Sequence, residues 1–71
     1  MNIRTWCWRD ISRFERLSKA TGKSISTIKA YAKGARRVPA DHELLTKIEV
    51  ETGFQVMRHD MRPDAYPPPA T

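Results

Sequence analysis

Residues 13–37 read RFERLSKATGKSISTIKAYAKGARR and decide the fold of this 71-residue chain. Apolar residues recur at helical spacing before and after Gly22, which suits the left-handed conformation that ends a helix. Ser24 follows almost at once and can cap a second helix over residues 25–33, which Gly34 ends. The stretch therefore predicts two short helices joined by a tight turn.

The same stretch carries most of the positive charge. Eight lysines and arginines are opposed there by Glu15 alone, a local charge of +7, whereas residues 1–12 contribute +1 and residues 38–71 carry −3. A polyanion would therefore meet one oriented basic face. Because that face coincides with a helical motif, nucleic acid is the predicted partner.

The length and the scarcity of reactive side chains exclude several classes of function. Seventy-one residues form one small domain with a modest core, too small for an enzyme cleft with several walls. Cys7, His42 and His59 lack the paired short spacings of a zinc site, and the serines cluster where capping explains them. We predict no catalytic residues, no metal site and no cofactor.

The compartment is predicted from two simple counts. Cys7 is the only cysteine, so no intramolecular disulfide can form. No apolar run has the length of a signal peptide or a membrane span. We therefore expect a cytoplasmic protein with no membrane partner.

Residues 2–10 predict a short first helix, with a strand as the competing interpretation. Helical spacing places Ile3, Trp6 and Cys7 on one side, whereas strand alternation separates apolar from polar residues poorly. On a helix Trp6 and Trp8 cannot both face inward, so one is expected to be partly exposed. Covering the edge of the core is its simpler role, ahead of a functional contact.

Ser12 and Glu15 are spaced as a capping box, in which each side chain bonds the backbone amide of the other residue. We therefore expect a second helix to start near Arg13. Its predicted inward residues are Phe14, Leu17, Ser18 and Thr21. Those of the third helix are Ile28, Tyr31 and Ala32.

Beyond Gly34 the sequence predicts a loop and a fourth helix. Pro39 is well placed as its first residue, Asp41 and Glu43 are favourable in its first turn, and Gly53 ends it. This helix is acidic and would repel phosphate. We therefore expect it to complete the core with Leu44, Leu45 and Ile48.

Apolar and polar residues alternate over residues 54–58, which predicts a short extended segment with Phe54 and Val56 inward. A lone strand leaves its backbone unpaired, so it would dock along the domain or pair with a second copy. Residues 60–64 predict a turn, and residues 65–71 a proline-rich flexible tail.

The segment Ala20–Gly34 resembles the helix-turn-helix of phage Cro and repressor proteins. Other parts of the chain resemble one branch of these proteins, the YdaS-type, Cro-like regulators of prophages: Arg36-Arg37-Val38-Pro39, Ile48-Glu49, Thr52-Gly53, Val56, Arg58-His59-Asp60 and Arg62-Pro63-Asp64. The resemblance covers nearly the whole chain. It implies a mainly all-α domain over residues 1–64, a small lambda-repressor/Cro-like helix-turn-helix of four to five helices with a short extended C-terminal segment.

The resemblance also implies that the third helix enters the major groove of DNA. Gly22 matches the turn glycine, Ile28 the buried aliphatic residue, and Tyr31 the residue that locks the recognition helix onto its neighbour. Positions that touch bases or adjacent phosphates correspond to Ser24, Ile25, Ser26, Lys29 and Ala30. Backbone-contacting positions correspond to Lys33, Arg36 and Arg37.

Three residues depart from the family pattern. Phe14 stands where many relatives have a glutamine that grips phosphate, and Arg13 is the candidate to replace that contact. Ser18 replaces the usual alanine, a tolerable change in volume. Lys23 occupies a commonly aliphatic site, and its ammonium can reach phosphate.

We therefore expect a sequence-specific transcriptional regulator, a repressor that occupies a double-stranded DNA operator as a dimer. Lys29 is the only charged donor among the inner residues and is expected to read a guanine edge. Ser24 or Ser26 would bond bases, and the methyl groups of Ile25 or Thr27 would meet thymine. The dimer could exist in solution or form only on DNA.

Rival interpretations come from other classes of protein. A DNA-binding antitoxin would hold a partner protein through Trp6, Trp8 or the tail. An RNA-binding module would use residues 33–37, but no exposed aromatic platform is evident in the sequence. A basic helical bundle without a nucleic-acid role is disfavoured, because the motif and the charge coincide.

Overall fold

The computed structural model describes residues 1–67, in which the chain forms five α-helices and no strand. They are α1 (Ile3–Trp8), α2 (Ser12–Thr21), α3 (Ile25–Lys33), α4 (His42–Glu51) and α5 (Arg58–Met61). Helix α1 packs against α2 and α3, α2 packs against α3 and α4, and α5 packs against α4. The predicted small all-α domain is confirmed.

One hydrophobic core joins the inward faces of the helices. In the first four helices every residue predicted to face inward is buried except Ser18, which stays partly exposed. Trp6 is buried and Trp8 is 51% exposed, as the helical spacing of α1 predicts. Cys7 is fully buried, and burial raises the pKa of its thiol to about 11, although Arg13 opposes the shift. The thiol therefore stays protonated and acts as a packing group.

The capping box predicted for α2 is wrong. Helix α2 begins at Ser12, and Oδ1 of Asp10 accepts hydrogen bonds from the backbone amide of Ser12 at 3.0 Å and from its hydroxyl at 2.8 Å. Glu15 instead pairs with Lys19 at 3.4 Å. A carboxylate is a stronger acceptor than a hydroxyl, so Asp10 holds the start of the helix.

This arrangement predicts which substitution weakens α2. Asp10→Ala should lower the melting temperature by a few degrees, because it removes the acceptor for the first free amide. Ser12→Ala should have a smaller effect, because the backbone bond to Asp10 remains. Thermal unfolding followed by circular dichroism measures both variants. A larger loss for Ser12→Ala would contradict this assignment.

The turn between α2 and α3 agrees with the prediction. Gly22 ends α2 in the left-handed region with a φ of 74°. Ser24 caps α3, its Oγ accepting the backbone N–H of Thr27 at 3.2 Å. The α3 helix then ends at Gly34, also left-handed with a φ of 77°. Local rules alone specify this part of the fold.

Helix α4 starts later than predicted. Pro39 lies in the preceding loop, and α4 begins at His42. Asp41 is the N-cap, since its Oδ1 accepts the backbone N–H of Glu43 at 3.1 Å. The Asp41 side chain satisfies one of the backbone amides that are free in the first turn of a helix. This cap explains why α4 begins after Asp41 and not at Pro39. Gly53 lies past the end of α4 with a φ of 64°, as expected for the residue that closes it.

The predicted extended segment after α4 is also wrong. Phe54 is 61% exposed with a left-handed φ of 62°, and only Val56 faces inward. The chain turns because the buried Glu49 carboxylate accepts the backbone N–H of Arg58 at 3.0 Å and pairs with its guanidinium at 2.6 Å. Within the described residues there is therefore no extended segment that could pair as a strand with a second copy.

The predicted turn over residues 60–64 is only partly right, because α5 continues to Met61. The chain turns at residues 63–65 instead. Tyr66, which the sequence placed in the tail, packs against the core, and Arg58 lies 5.3 Å above its ring. The rest of the predicted tail, residues 68–71, lies outside the described residues.

Candidate nucleic-acid interface

The outward face of α3 combines short, apolar and basic side chains. Ser24, Ser26 and Lys29 are exposed, and Ile25 is exposed by 42%. Thr27 and Ala30 are half-buried on the same helix. The structure thus brings together all six residues predicted to contact bases: Ser24, Ile25, Ser26, Thr27, Lys29 and Ala30.

The three hydroxyl groups on this face differ in what they bond. The Ser24 and Thr27 hydroxyls lie 2.9 Å apart and bond each other, and Ser24 also accepts the Thr27 amide. Ser26 forms no side-chain hydrogen bond within residues 1–67. Within the described residues the Ser26 hydroxyl therefore has its whole hydrogen-bonding capacity free for a ligand, whereas the Ser24 and Thr27 hydroxyls share one free O–H donor between them.

Lys29 is held on an aromatic surface. Its Nζ lies 5.9 Å from the centroid of the Phe14 ring, in a cation–π arrangement. No carboxylate pairs with Lys29 in the described part of the chain. Phe14 therefore lies within cation–π distance of a cation from α3.

Three of the predicted phosphate-binding residues meet in a hollow of about 420 Å³ at the end of α3. Lys33 and Arg36 make no ion pair within residues 1–67, and both are exposed. Arg37 lies 3.7 Å from Asp64, a long and exposed contact that contributes little. Arg4 of α1 also lines this hollow. We call the hollow formed by Arg4, Lys33, Arg36 and Arg37 the basic hollow.

The acidic groups near the basic hollow are already paired. Asp60 lines the hollow, but its Oδ2 lies 3.1 Å from the N-terminal ammonium and accepts the Met57 amide at 2.9 Å. Burial raises the pKa of Asp60, but these two contacts outweigh it and leave the pKa below its usual value. Two hydrogen bonds from Arg62 likewise hold the pKa of Asp64 well below its usual range. The hollow keeps an excess of positive charge.

The remaining two predicted phosphate contacts lie elsewhere. The Arg13 guanidinium donates to the carbonyl of Trp6 at 3.0 Å and lies 4.5 Å from the Trp6 ring centroid, so it holds α2 against α1. Lys23 is exposed but lines a separate hollow with Asp41 and Glu43. The structure therefore does not bring Arg13 or Lys23 to the basic hollow.

Arg4 is the residue of this cluster that the sequence did not single out. It precedes residue 33 by almost half the chain, and its only local signal is a position on the polar side of α1. The packing of α1 against α3 brings it to the basic hollow. The spacing of residues within α1 cannot predict a contact with residues so distant in the sequence.

No protein-family model, curated protein or solved structure matches this chain. Among the described residues, none of the helices has the length and apolar character needed to cross a membrane. The geometry of α3 and of the basic hollow therefore indicates the function.

Proposed function

We propose that this protein is a sequence-specific DNA-binding transcriptional regulator, a Cro-type repressor that acts in the cytoplasm by occupying an operator. One observation carries the proposal. The exposed face of α3, preceded by a tight glycine turn, adjoins a cluster of cations with no strong carboxylate partner. A helix with short outward side chains can approach the floor of the major groove, and flanking cations can bind phosphates.

In the proposed mechanism the two groups of residues have separate tasks. Lys29 reads a guanine edge, Ser26 bonds a neighbouring base, and Ile25 contacts a thymine methyl group. Lys33, Arg36 and Arg37 release counterions from phosphates and add affinity that does not depend on sequence. Repression follows because the occupied operator is closed to other proteins, and no reaction is needed.

Two copies would read a symmetric operator. The half-sites of such an operator lie about one helical turn apart, roughly 34–36 Å between centres. Within residues 1–67 the most exposed large apolar side chains are Ile11 at 72%, Phe54 at 61% and Val50 at 60%, and these are the candidates for contact between copies. The second candidate function is a DNA-binding antitoxin, which would hold its partner protein through exposed apolar groups. Trp8 is 51% exposed and can serve in this way, whereas Trp6 is buried and cannot.

Selection of bound duplexes from a random DNA pool tests the proposal. At about physiological salt we expect enrichment of an inverted repeat whose half-site centres lie about one helical turn apart. Weak binding without enrichment, lost as salt rises, would contradict sequence-specific regulation. A stable complex with the product of a neighbouring gene, together with DNA selection, would favour the antitoxin.

A further inference from the structure

The polar side of α1 carries a groove that shares only Arg4 with the basic hollow. Arg4, Thr5, Trp8 and Arg9 line it, and its volume is about 440 Å³. Arg4 and Trp8 are four residues apart, as are Thr5 and Arg9, so the four side chains share one side of the helix. We call this surface the α1 groove.

The groups of the α1 groove are free to bind a ligand. Neither Arg4 nor Arg9 pairs with a carboxylate within residues 1–67, and the Trp8 Nε1–H has no acceptor there. Trp8 nevertheless has a fixed position, because its ring meets the buried Phe14 ring edge-on at 5.2 Å and 79°. Covering Phe14 uses only part of the indole, and about half of the side chain faces solvent.

The α1 groove is continuous with the proposed DNA surface in two ways. Phe14 contacts Trp8 on one side and Lys29 of α3 on another, so one buried ring supports both side chains. Arg4 lines both the α1 groove and the basic hollow. A strip of cations therefore runs from Arg36 across Arg4 towards Arg9.

A strip of unpaired guanidinium groups with an exposed indole has the chemistry of a phosphodiester site. Guanidinium groups bind phosphate oxygens through paired N–H donors. An indole offers an apolar face for a sugar and one N–H donor for a phosphate. Single-strand platforms instead stack successive bases on several aromatic rings, whereas the α1 groove has one.

We propose that the α1 groove binds the sugar-phosphate backbone of the same duplex that α3 reads, which presupposes the proposed function. The indole of Trp8 packs on a deoxyribose, and its Nε1–H donates to a phosphate oxygen. Arg4 and Arg9 bind the phosphates on either side. The contact adds affinity and fixes the orientation of α3, but it carries no sequence information.

The test uses the full chain and the duplex enriched by selection, with two variants of the α1 groove. We expect Trp8→Phe and Arg9→Gln each to weaken binding by roughly 3- to 10-fold, because each removes a backbone contact. Arg9→Gln should also lower the slope of log K against log salt by about one. Each variant should lose the same factor of affinity for a duplex with a mutated half-site as for the selected duplex. The preference for the selected sequence should therefore stay unchanged.

Lys19→Gln is the matched control. It removes one positive charge from the exposed side of α2, where Lys19 is 78% exposed and pairs with Glu15. We expect its affinity to stay within about twofold of the wild type, because it lies on neither the α1 groove nor the basic hollow. Thermal melts of all variants confirm that they fold.

Tryptophan emission gives an independent readout. Trp6 is buried and Trp8 is half-exposed, so a change in emission on DNA binding should come from Trp8. The change should be present in the wild type and absent in Trp8→Phe.

The outcomes separate this inference from the proposed function. If both variants bound DNA with wild-type affinity and still preferred the selected sequence, the proposed backbone contact of the α1 groove would be wrong. The proposed function of α3 would then still stand. Failure of the wild type to select any duplex would overturn both. Tighter binding of single strands than of the duplex, kept in Trp8→Phe and lost in Trp8→Ala, would show base stacking and overturn the backbone contact.

Discussion

Replacing Glu49 with alanine should lower the free energy of unfolding by about 2–4 kcal/mol. The Glu49 side chain is 4% exposed, and it accepts both the backbone N–H and the guanidinium of Arg58. Arg58 also donates to Nδ1 of His42 at 2.9 Å and to Oγ1 of Thr46 at 3.2 Å. Removal of the carboxylate leaves an amide and a guanidinium without their main acceptor and frees α5 from α4.

The expected loss is large for a chain of this size, because total stabilities of small domains are commonly only several kcal/mol. Urea unfolding followed by circular dichroism measures it. Glu43→Ala is the matched control on the same helix, since Glu43 is 79% exposed and its contact with Lys47 is 3.7 Å long. Equal losses for the two variants would mean that the buried pair has no special role in stability.

The same carboxylate makes the domain sensitive to acid. Bonds from Arg58 hold the pKa of Glu49 below its ordinary value of 4.5, although burial opposes them. Folding therefore gains stability from the ionised carboxylate at any pH above 4.5, and this gain is lost as the pH falls through the folded pKa. Glu49→Gln should show a shallower loss of stability below pH 4.5 than the wild type. Parallel curves would contradict the coupling.

Local signals were sufficient for the centre of the fold and insufficient for its ends. Gly22, Ser24 and Gly34 act through bonds that span only a few residues, so the sequence predicted the turn and the limits of α3 correctly. The segment after α4 depends on a contact between Glu49 and Arg58, nine residues apart, which alternation of apolar and polar residues does not reveal. A tertiary contact overrode the local pattern there.

The candidate site divides in the same way. Five of the six predicted base contacts lie on α3 and the sixth, Ser24, is its N-cap, so local sequence alone places them together. The predicted role of Arg13 depended on its side chain being free, and the structure instead has it bonded to Trp6. Arg4 and Trp8 join the site only through the packing of α1 on α2 and α3.

Lys29→Ala should weaken binding to the selected duplex by about 1–3 kcal/mol, roughly 5- to 150-fold, and should barely change binding to random DNA. The Lys29 ammonium lies 5.9 Å from the centroid of the Phe14 ring, and such a contact, worth about 0.5–1 kcal/mol at an exposed site, biases the side chain without fixing it. The lost contact is one that only the correct base can make. Titrations of labelled duplexes of both kinds, read by fluorescence anisotropy, measure the difference.

Arg36→Ala is the matched control for Lys29→Ala. Both variants remove one positive charge from the same basic stretch, so a general electrostatic effect would be equal in the two. Arg36 lines the basic hollow and is not one of the six predicted base contacts, although its backbone amide donates to the carbonyl of Ala30 at 3.3 Å. Its side chain should contact phosphate alone. Arg36→Ala should therefore weaken selected and random duplexes alike and lower the salt slope by about one. If Lys29→Ala behaved in the same way, α3 would bind DNA without reading it, because a base contact must distinguish sequences and a phosphate contact cannot.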